Sequence, residues 1–269
     1  MKSSIAKSIT SLPPLPKTLL EINRICADEE AGIGELAAVI EHDPMIVANL
    51  LKAAHSPIYG FGREITNVRQ AVSLFGMSKT RSIALGHAVR KLLNVDMQPY
   101  GISSEKFADL SALQATFVSK WYKQIASSKA DKLYLAAFLQ ETGKILIASD
   151  VLKDHEEISF SSEIAVTQNV AQVEKSYVGV TSAEITALVF EHWGFEKEFV
   201  TLIHYSDNPA AAPEEIKEYA VALDIVKTFI PINAPLAQKS INFGLQKAEA
   251  AGYDTALLEA TVTAIQEEL

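Results

Sequence analysis

The chain has 269 residues, 48% of them hydrophobic and 21% charged, with a net charge of −9 at pH 7. That length suits one large domain or two modest lobes, either with a sizeable core. The acidic balance argues against nucleic acid as a partner, because phosphates call for a basic face. No apolar run nears the ~20 residues of a bilayer crossing, so no membrane is expected. The opening MKSSIAKSITSLPPLP lacks the apolar block of about 7–15 residues that marks a signal peptide, and the cytoplasm is the expected compartment. A single cysteine, Cys26, leaves no intrachain disulfide framework and no Cys-cluster zinc site.

Almost every segment repeats its apolar residues with the period of a helix. Pro13, Pro14 and Pro16 predict an extended lead-in to a helix carrying Leu19, Leu20, Ile22 and Ile25, on which Cys26 reads as a buried structural thiol. Gly32 and Gly34 separate it from a short helix with Leu36, Val39 and Ile40. Asp43 reads as the N-cap of the next helix, with Pro44 at its first position. The literal His42-Asp43 dipeptide is thereby a cap rather than a metal pair. His55-Ser56-Pro57 ends that helix, and Tyr59-Gly60-Phe61-Gly62 forms a turn without the third glycine or the Lys-Ser/Thr of a phosphate loop.

Asn67 with Gln70 reads as a capping-box variant opening a helix that Gly76 stops. Ser78 starts another, with Ile83, Leu85 and Val89; its Lys79, Arg81, Arg90 and Lys91 read as a solvated face. Residues 94–104, with Pro99 and Gly101, mark a lobe boundary. A long amphipathic helix over roughly 104–126 is followed by LYLAAFLQETGKILIAS at 133–149. Polar residues at 159–162 are expected to precede a helix with Val166, Val170 and Val173. Thr181-Ser182-Ala183-Glu184 is a capping box, followed by Ile185, Leu188, Val189 and Trp193. Gly194 breaks that helix, and one through Phe199, Leu202 and Ile203 ends near Asn208-Pro209. After a linker at 210–213, three closing helices are expected at 214–229, 239–249 and 254–269. With no period-2 alternation and no hairpin turn, the fold class is all-α.

The strings LPPLPKTLLEI, IEHDPMIVANLLKAAHSPIYG and ITNVRQAVSLFGMSKTRSIAL resemble the N-terminal half of the HDOD family. FLQETGKILI, GVTSAEITALVFEHWGF and LIHYSDNP resemble its second half, so the likeness runs over roughly 12–209. It implies an N-terminal helical lobe at about 12–95 packed on a degenerate HD-like lobe at about 103–209, with the helices of 210–269 packing on the latter. It further implies a non-catalytic relative of HD phosphohydrolases, associated with bacterial signal transduction. His55-Ser56 stands where the family usually shows Asn-Ser, and a histidine can still hydrogen-bond at a helix end.

HD phosphohydrolases carry "LLHDIGK", whose His and Asp bind the catalytic metal that activates water. Here the dipeptide is Gln140-Glu141. The other ligand positions of that superfamily fall near Leu110 or Ser111, on Ser182, and on Ser206-Asp207. Only Glu141 and Asp207 remain as strong oxygen donors. His204 stands alone on its helix, His192 reads as packing, and His87 and His155 have no partners at ligand spacing. There is no Gly-x-Ser-x-Gly elbow, and Cys26 lacks a histidine partner. The resemblance and these losses together lead us to expect no cofactor, no catalytic or metal-binding residue and no hydrolysis. The expected role is a signalling protein whose partner is another protein, touched through Asp43, His55, Ser56, Tyr59 and Phe61 or the lobe junction. Within these 269 residues no receiver, GGDEF-like or EAL-like segment is evident, so input is expected from a partner or small ligand. Two alternatives stand beside it. One is a rewired phosphohydrolase using Glu141, His204 and Asp207. The other is a sensor in which Gln140, Ser182 and Ser206 bind a nucleotide or other small molecule.

Overall fold

The capping signals of the sequence start helices where they should. In the computed structural model, which describes residues 1–28, 30–61, 65–93 and 96–269, Asp43 Oδ1 accepts the N–H groups of Met45 (3.0 Å) and Ile46 (3.2 Å). Thr181 and Glu184 exchange side chain for backbone in a full capping box. Asn67 Oδ1 accepts from Gln70 N–H, while the Gln70 carbonyl reaches back to Thr66 N–H, so this box closes one residue early. Such bonds satisfy amides that the first helical turn leaves unpaired.

Among the described residues there are fifteen α-helices and no strand. After the N-terminal residues come helices α2 (Lys17–Ala27), α3 (Ile33–Glu41), α4 (Pro44–Ala54) and α5 (Val68–Leu93), with α5 packed on the other three and on the seventh helix. Gly76, at φ 75° and ψ 171°, breaks α5 into the two helices expected. Then follow α6 (Ser104–Ile125), α7 (Ser127–Leu139), α8 (Gly143–Lys153), α9 (Glu157–Val166), α10 (Val170–Val178), α11 (Ser182–His192) and α12 (Lys197–His204). Then come α13 (Glu214–Phe229), α14 (Gln238–Ala250) and α15 (Thr255–Gln266). Helix α6 is the spine: it buries Phe117, Trp121 and Tyr122 and touches α7, α13 and α15. A helix covered almost all round sits at the centre of its domain. No helix among the described residues is long and apolar enough to cross a membrane.

Several expectations need correction. The N-terminal residues form a further helix, α1 (Ser3–Thr10), which buries Ile5 and Ile9 against α8 and α11. The extended segment after it is strapped down by Trp193 Nε1 donating to Pro13 O (3.0 Å) and by the His192 ring at Leu12 O (3.2 Å). Residues 159–162 lie inside α9 rather than before a helix; Val166 ends α9 and Val170 begins α10. The basic face of α5 is not solvated. Lys79 lies 5.3 Å from the Tyr134 ring centre, and Arg81 Nε donates to Asn23 Oδ1 at 2.7 Å. Burial pushes the Arg90 guanidinium down to about 10 against the pull of Tyr59 and Asp109. Only Lys91 of the four is exposed.

Cys26 is half-buried, with its thiol 3.6 Å from Met77 O, and burial raises it to about 11 against the nearby Arg81. On the expected contact surface, His55 is exposed and its Nδ1 lies 2.7 Å from Leu51 O. Asp43 and Ser56 are half-buried. Tyr59 and Phe61 turn inward, edge-on to the Phe75 ring at 4.9 and 5.0 Å, and offer little free surface. Gly62 of the expected turn, and Asn94 and Val95 of the expected boundary, lie outside the described residues.

Candidate functional site: a buried lysine between two carboxylates

The turn joining α7 to α8 carries Gln140 and Glu141, and the first turn of α8 carries Lys144. Three residues apart, Glu141 and Lys144 meet, with Nζ 2.8 Å from Glu141 Oε2. The same ammonium lies 2.6 Å from Glu174 Oε1 on α10 and donates to Ser182 Oγ at 2.9 Å. Tyr100 OH also donates to Glu174 Oε1 (3.0 Å), and Glu174 Oε2 accepts Ser182 N–H (2.7 Å) at the start of α11, where the helix dipole favours a negative charge. Gln114 Nε2 donates to Glu141 Oε1 (3.1 Å) and to Ile230 O (2.9 Å), while its carbonyl accepts from Gln140 Nε2 (2.8 Å). Gln114, Gln140, Glu174 and Ser182 are wholly covered, and Glu141 and Lys144 are only 3% and 4% exposed. Beside this cluster, Lys227 donates to Asp207 Oδ1 (2.7 Å) and Ser206 Oγ (3.0 Å), and Ala183 N–H donates to Asp207 Oδ2 (3.3 Å).

The charges hold one another ionised. Burial alone would push the Glu141 carboxyl up, but Lys144, Lys227 and the Gln114 amide hold it below the usual range. Burial would likewise lower Lys144, yet Glu141, Glu174 and Asp207 keep its ammonium above its ordinary value. Burial and the Glu174 carboxylate raise Tyr100, so the phenol stays a donor. For Asp207 burial again opposes ionisation and loses to Lys227 and Lys144, which bring it down to about 2. A carboxyl depressed in the folded state stabilises above its unfolded pKa, and that contribution is lost as pH falls through its folded value. Asp207→Asn should therefore cost about 2 kcal/mol near neutrality, because each tenfold gain in acidity on folding is worth about 1.4 kcal/mol. Urea unfolding from pH 7 downward should show the gap to wild type closing below pH 4; a pH-independent gap would contradict the assignment.

The resemblance to HD phosphohydrolases implies a metal at this place, and the residues present do not fit one. Glu141, Glu174 and Asp207 each face an ammonium group. Gln140, Ser182 and Ser206 supply only neutral groups: both hydroxyls accept from lysines and the Gln140 Nε2 donates to Gln114, leaving the Gln140 Oε1 as the one buried side-chain oxygen of the three without a partner among the described residues. Among the described residues no three His, Cys, Asp or Glu side chains converge as a metal site. The cation between Glu141 and Glu174 is the Lys144 ammonium itself.

The structure thus brings Gln140, Glu141, Ser182, Ser206 and Asp207 together, as their motif positions suggest. Leu110 is buried on α6 one turn before Gln114 and contributes packing only. His204 is exposed and lines a separate 200 Å³ groove with Lys175, Glu184 and Tyr205, which meets the cluster only at Asp207. Five participants escaped the sequence reading as site residues: Tyr100, Gln114, Lys144, Glu174 and Lys227. A signal existed for two. Gln114 interrupts the stripe of Leu110, Phe117 and Trp121, and Glu174 stands one turn from both Val170 and Val178. A polar group on an apolar stripe needs a buried partner.

Comparison with known proteins agrees with this fold. A Treponema pallidum (strain Nichols) protein with no functional name is 26% identical over 222 residues, covering 81% of this chain; the match spans 42% of that longer relative. A virulence factor from Campylobacter jejuni subsp. jejuni is 25% identical, with 98% of this chain and 95% of that one covered at a TM-score of 0.58. A Shewanella amazonensis SB2B protein whose provisional name is phosphohydrolase is 20% identical, with coverage of 98% and 94% and a TM-score of 0.72. At that identity the likeness speaks for the fold alone. The HDOD domain model matches residues 12–209, and with that span of the chain accounted for by both motifs and helices, the chain belongs to the HDOD domain family.

Proposed function

We propose that the chain is a regulatory HDOD protein that works through contacts with a protein partner and does not hydrolyse phosphate esters. Membership of the family supports the regulatory part. The single observation that carries the non-hydrolytic part is Lys144, whose ammonium lies between Glu141 and Glu174. A divalent ion at that place would have to displace a buried ion pair and then stand beside a second cation, Lys227. Bound metal would also be needed to bring water to its reactive state. A rewired site using Glu141, His204 and Asp207 finds no support, since the groove on which His204 opens is lined by Asp207 but not by Glu141.

Partner contact is proposed on the exposed side of α4, where Pro44 and Met45 (48% exposed) stand at one end and His55 at the other. Metal analysis of the purified chain, alongside phosphodiesterase and nucleotidase assays, tests the non-hydrolytic reading. We expect less than stoichiometric metal and no turnover. Stoichiometric metal with turnover that Glu141→Ala abolishes would overturn it.

A further inference from the structure

On the far side of the ion cluster lies a chamber of about 640 Å³, within the range of small-molecule sites. Its inner end is formed by Glu141, Lys144, Asp207 and Lys227. One wall is the segment 165–171 between α9 and α10; the other is α14. The α14 wall presents Lys239, Phe243 and Lys247, spaced four residues apart and so on one face of the helix.

The charged groups at the inner end of this chamber are paired among themselves, Lys144 with both Glu141 and the Glu174 behind it. The chamber's lining carboxylates each have a partner: Glu141 on Lys144, Asp207 on Lys227, and Asp224 on Lys247 at 2.8 Å. Lys239 is the lining cation left over, exposed and with no ion pair or side-chain hydrogen bond among the described residues. In a chain of net charge −9, an unpaired ammonium lining a cavity is a local point of attachment for an anion. Its apolar surface is also uncovered. Phe243 is 38% exposed and stacks on no other ring among the described residues, and Val166 across the chamber is 78% exposed. An aromatic face left to water beside a spare ammonium suits a flat ring attached to an anion. The amides of Gln168 and Gln246, on opposite walls, can meet the edge atoms of a heteroaromatic ring.

We propose that this chamber binds a ligand of the mononucleotide class, its phosphate on Lys239 and its ring over Phe243 one turn away. The chamber shares Glu141 and Asp207 with the HD-like cluster, whereas Gln140, Ser182 and Ser206 are sealed inside the protein and do not line it. Because its inner end touches Lys144 and Lys227, an occupant would lean on the ion pairs that join α8, α10, α11 and α13.

Calorimetric titration of the full chain with adenosine monophosphate, adenosine and inorganic phosphate, repeated with the guanosine, cytidine and uridine monophosphates, tests this. At least one mononucleotide should bind saturably, and its nucleoside and inorganic phosphate at least tenfold more weakly. Lys239→Ala and Phe243→Ala should each weaken that binding tenfold or more with unchanged thermal unfolding, since both side chains are exposed. No saturable binding by any of the four at millimolar concentration, or binding indifferent to both substitutions, would overturn the proposal. Chromatography of the ligand after titration separates this proposal from the non-hydrolytic reading. Intact nucleotide supports both, whereas turnover counts against that reading alone.

Discussion

Lys144→Met should lower the unfolding free energy by about 3–5 kcal/mol, the range for removing one partner from a buried ion pair. The side chain it replaces is 4% exposed and neutralises both Glu141 and Glu174, themselves 3% and 0% exposed. Without the ammonium, both carboxylates stay buried with only neutral donors: Gln114 for the first, Tyr100 and the Ser182 amide for the second. Methionine keeps the length of the side chain, so the loss reports charge rather than a cavity. Adding Glu141→Gln and Glu174→Gln should restore most of it, because a neutral cluster of similar volume no longer carries stranded charge. The pH dependence also has a sign. In wild type Glu141 is depressed and stabilises above its unfolded pKa. In Lys144→Met it should be raised, so the variant regains stability relative to wild type as pH falls from 7 towards 4. Urea unfolding of the single and triple variants measures all of this. A single-variant loss below about 1 kcal/mol, the size of an exposed pair, would mean that the cluster is solvated.

What the sequence discloses about this molecule, and what it conceals, divides along local and non-local lines. Caps at Asp43, Asn67 and Thr181 are local chemistry, and the helices they open stand where the periodicity puts them. The breaks at Gly76 and Gly194 are equally local, each at positive φ. Helix α1 was hidden because its eight residues show only two buried apolar positions, Ile5 and Ile9. Its stability comes from docking onto α8 and α11, contacts that no window of sequence contains. The basic residues of α5 failed for the same reason: Lys79, Arg81 and Arg90 lie along surfaces supplied by Tyr134, Asn23 and Tyr59, from other elements. At the site, motif positions located Gln140, Glu141, Ser182, Ser206 and Asp207. Their meaning came from Gln114, Glu174 and Lys227, which lie 27, 30 and 20 residues from their partners Glu141, Lys144 and Asp207. Lys144 was visible as a flank of the HD-like string, but only the fold shows that it is the cation of the cluster.

Gly143→Ala should destabilise the protein by about 2–3 kcal/mol even though alanine is the better helix former by about 1 kcal/mol. Gly143 opens α8, and the reason for glycine there is proximity rather than backbone conformation. A Cβ would meet the Ser182 carbonyl oxygen inside van der Waals contact, with Ile185 Cβ at 3.0 Å. The first of these is backbone, fixed in α11, and cannot rotate aside. The Gly143 N–H donates to Thr186 Oγ1 at 2.7 Å, and that hydroxyl in turn lies 2.7 Å from Ser182 O, so α8 and α11 are stitched at the same point. Moving α11 outward would also draw Ser182 from Lys144 and its amide from Glu174, coupling the clash to the ion cluster. Gly34→Ala is the matched control. It lies in the first turn of α3, where the nearest atom to an added Cβ is the mobile end of Arg69 at 3.4 Å. That substitution should be neutral or stabilise by up to about 1 kcal/mol. Opposite signs in urea unfolding would identify the α8–α11 approach as the constraint. A neutral Gly143→Ala would mean that the two backbones stand further apart than this packing requires, and the ion cluster between them would then lose its structural support.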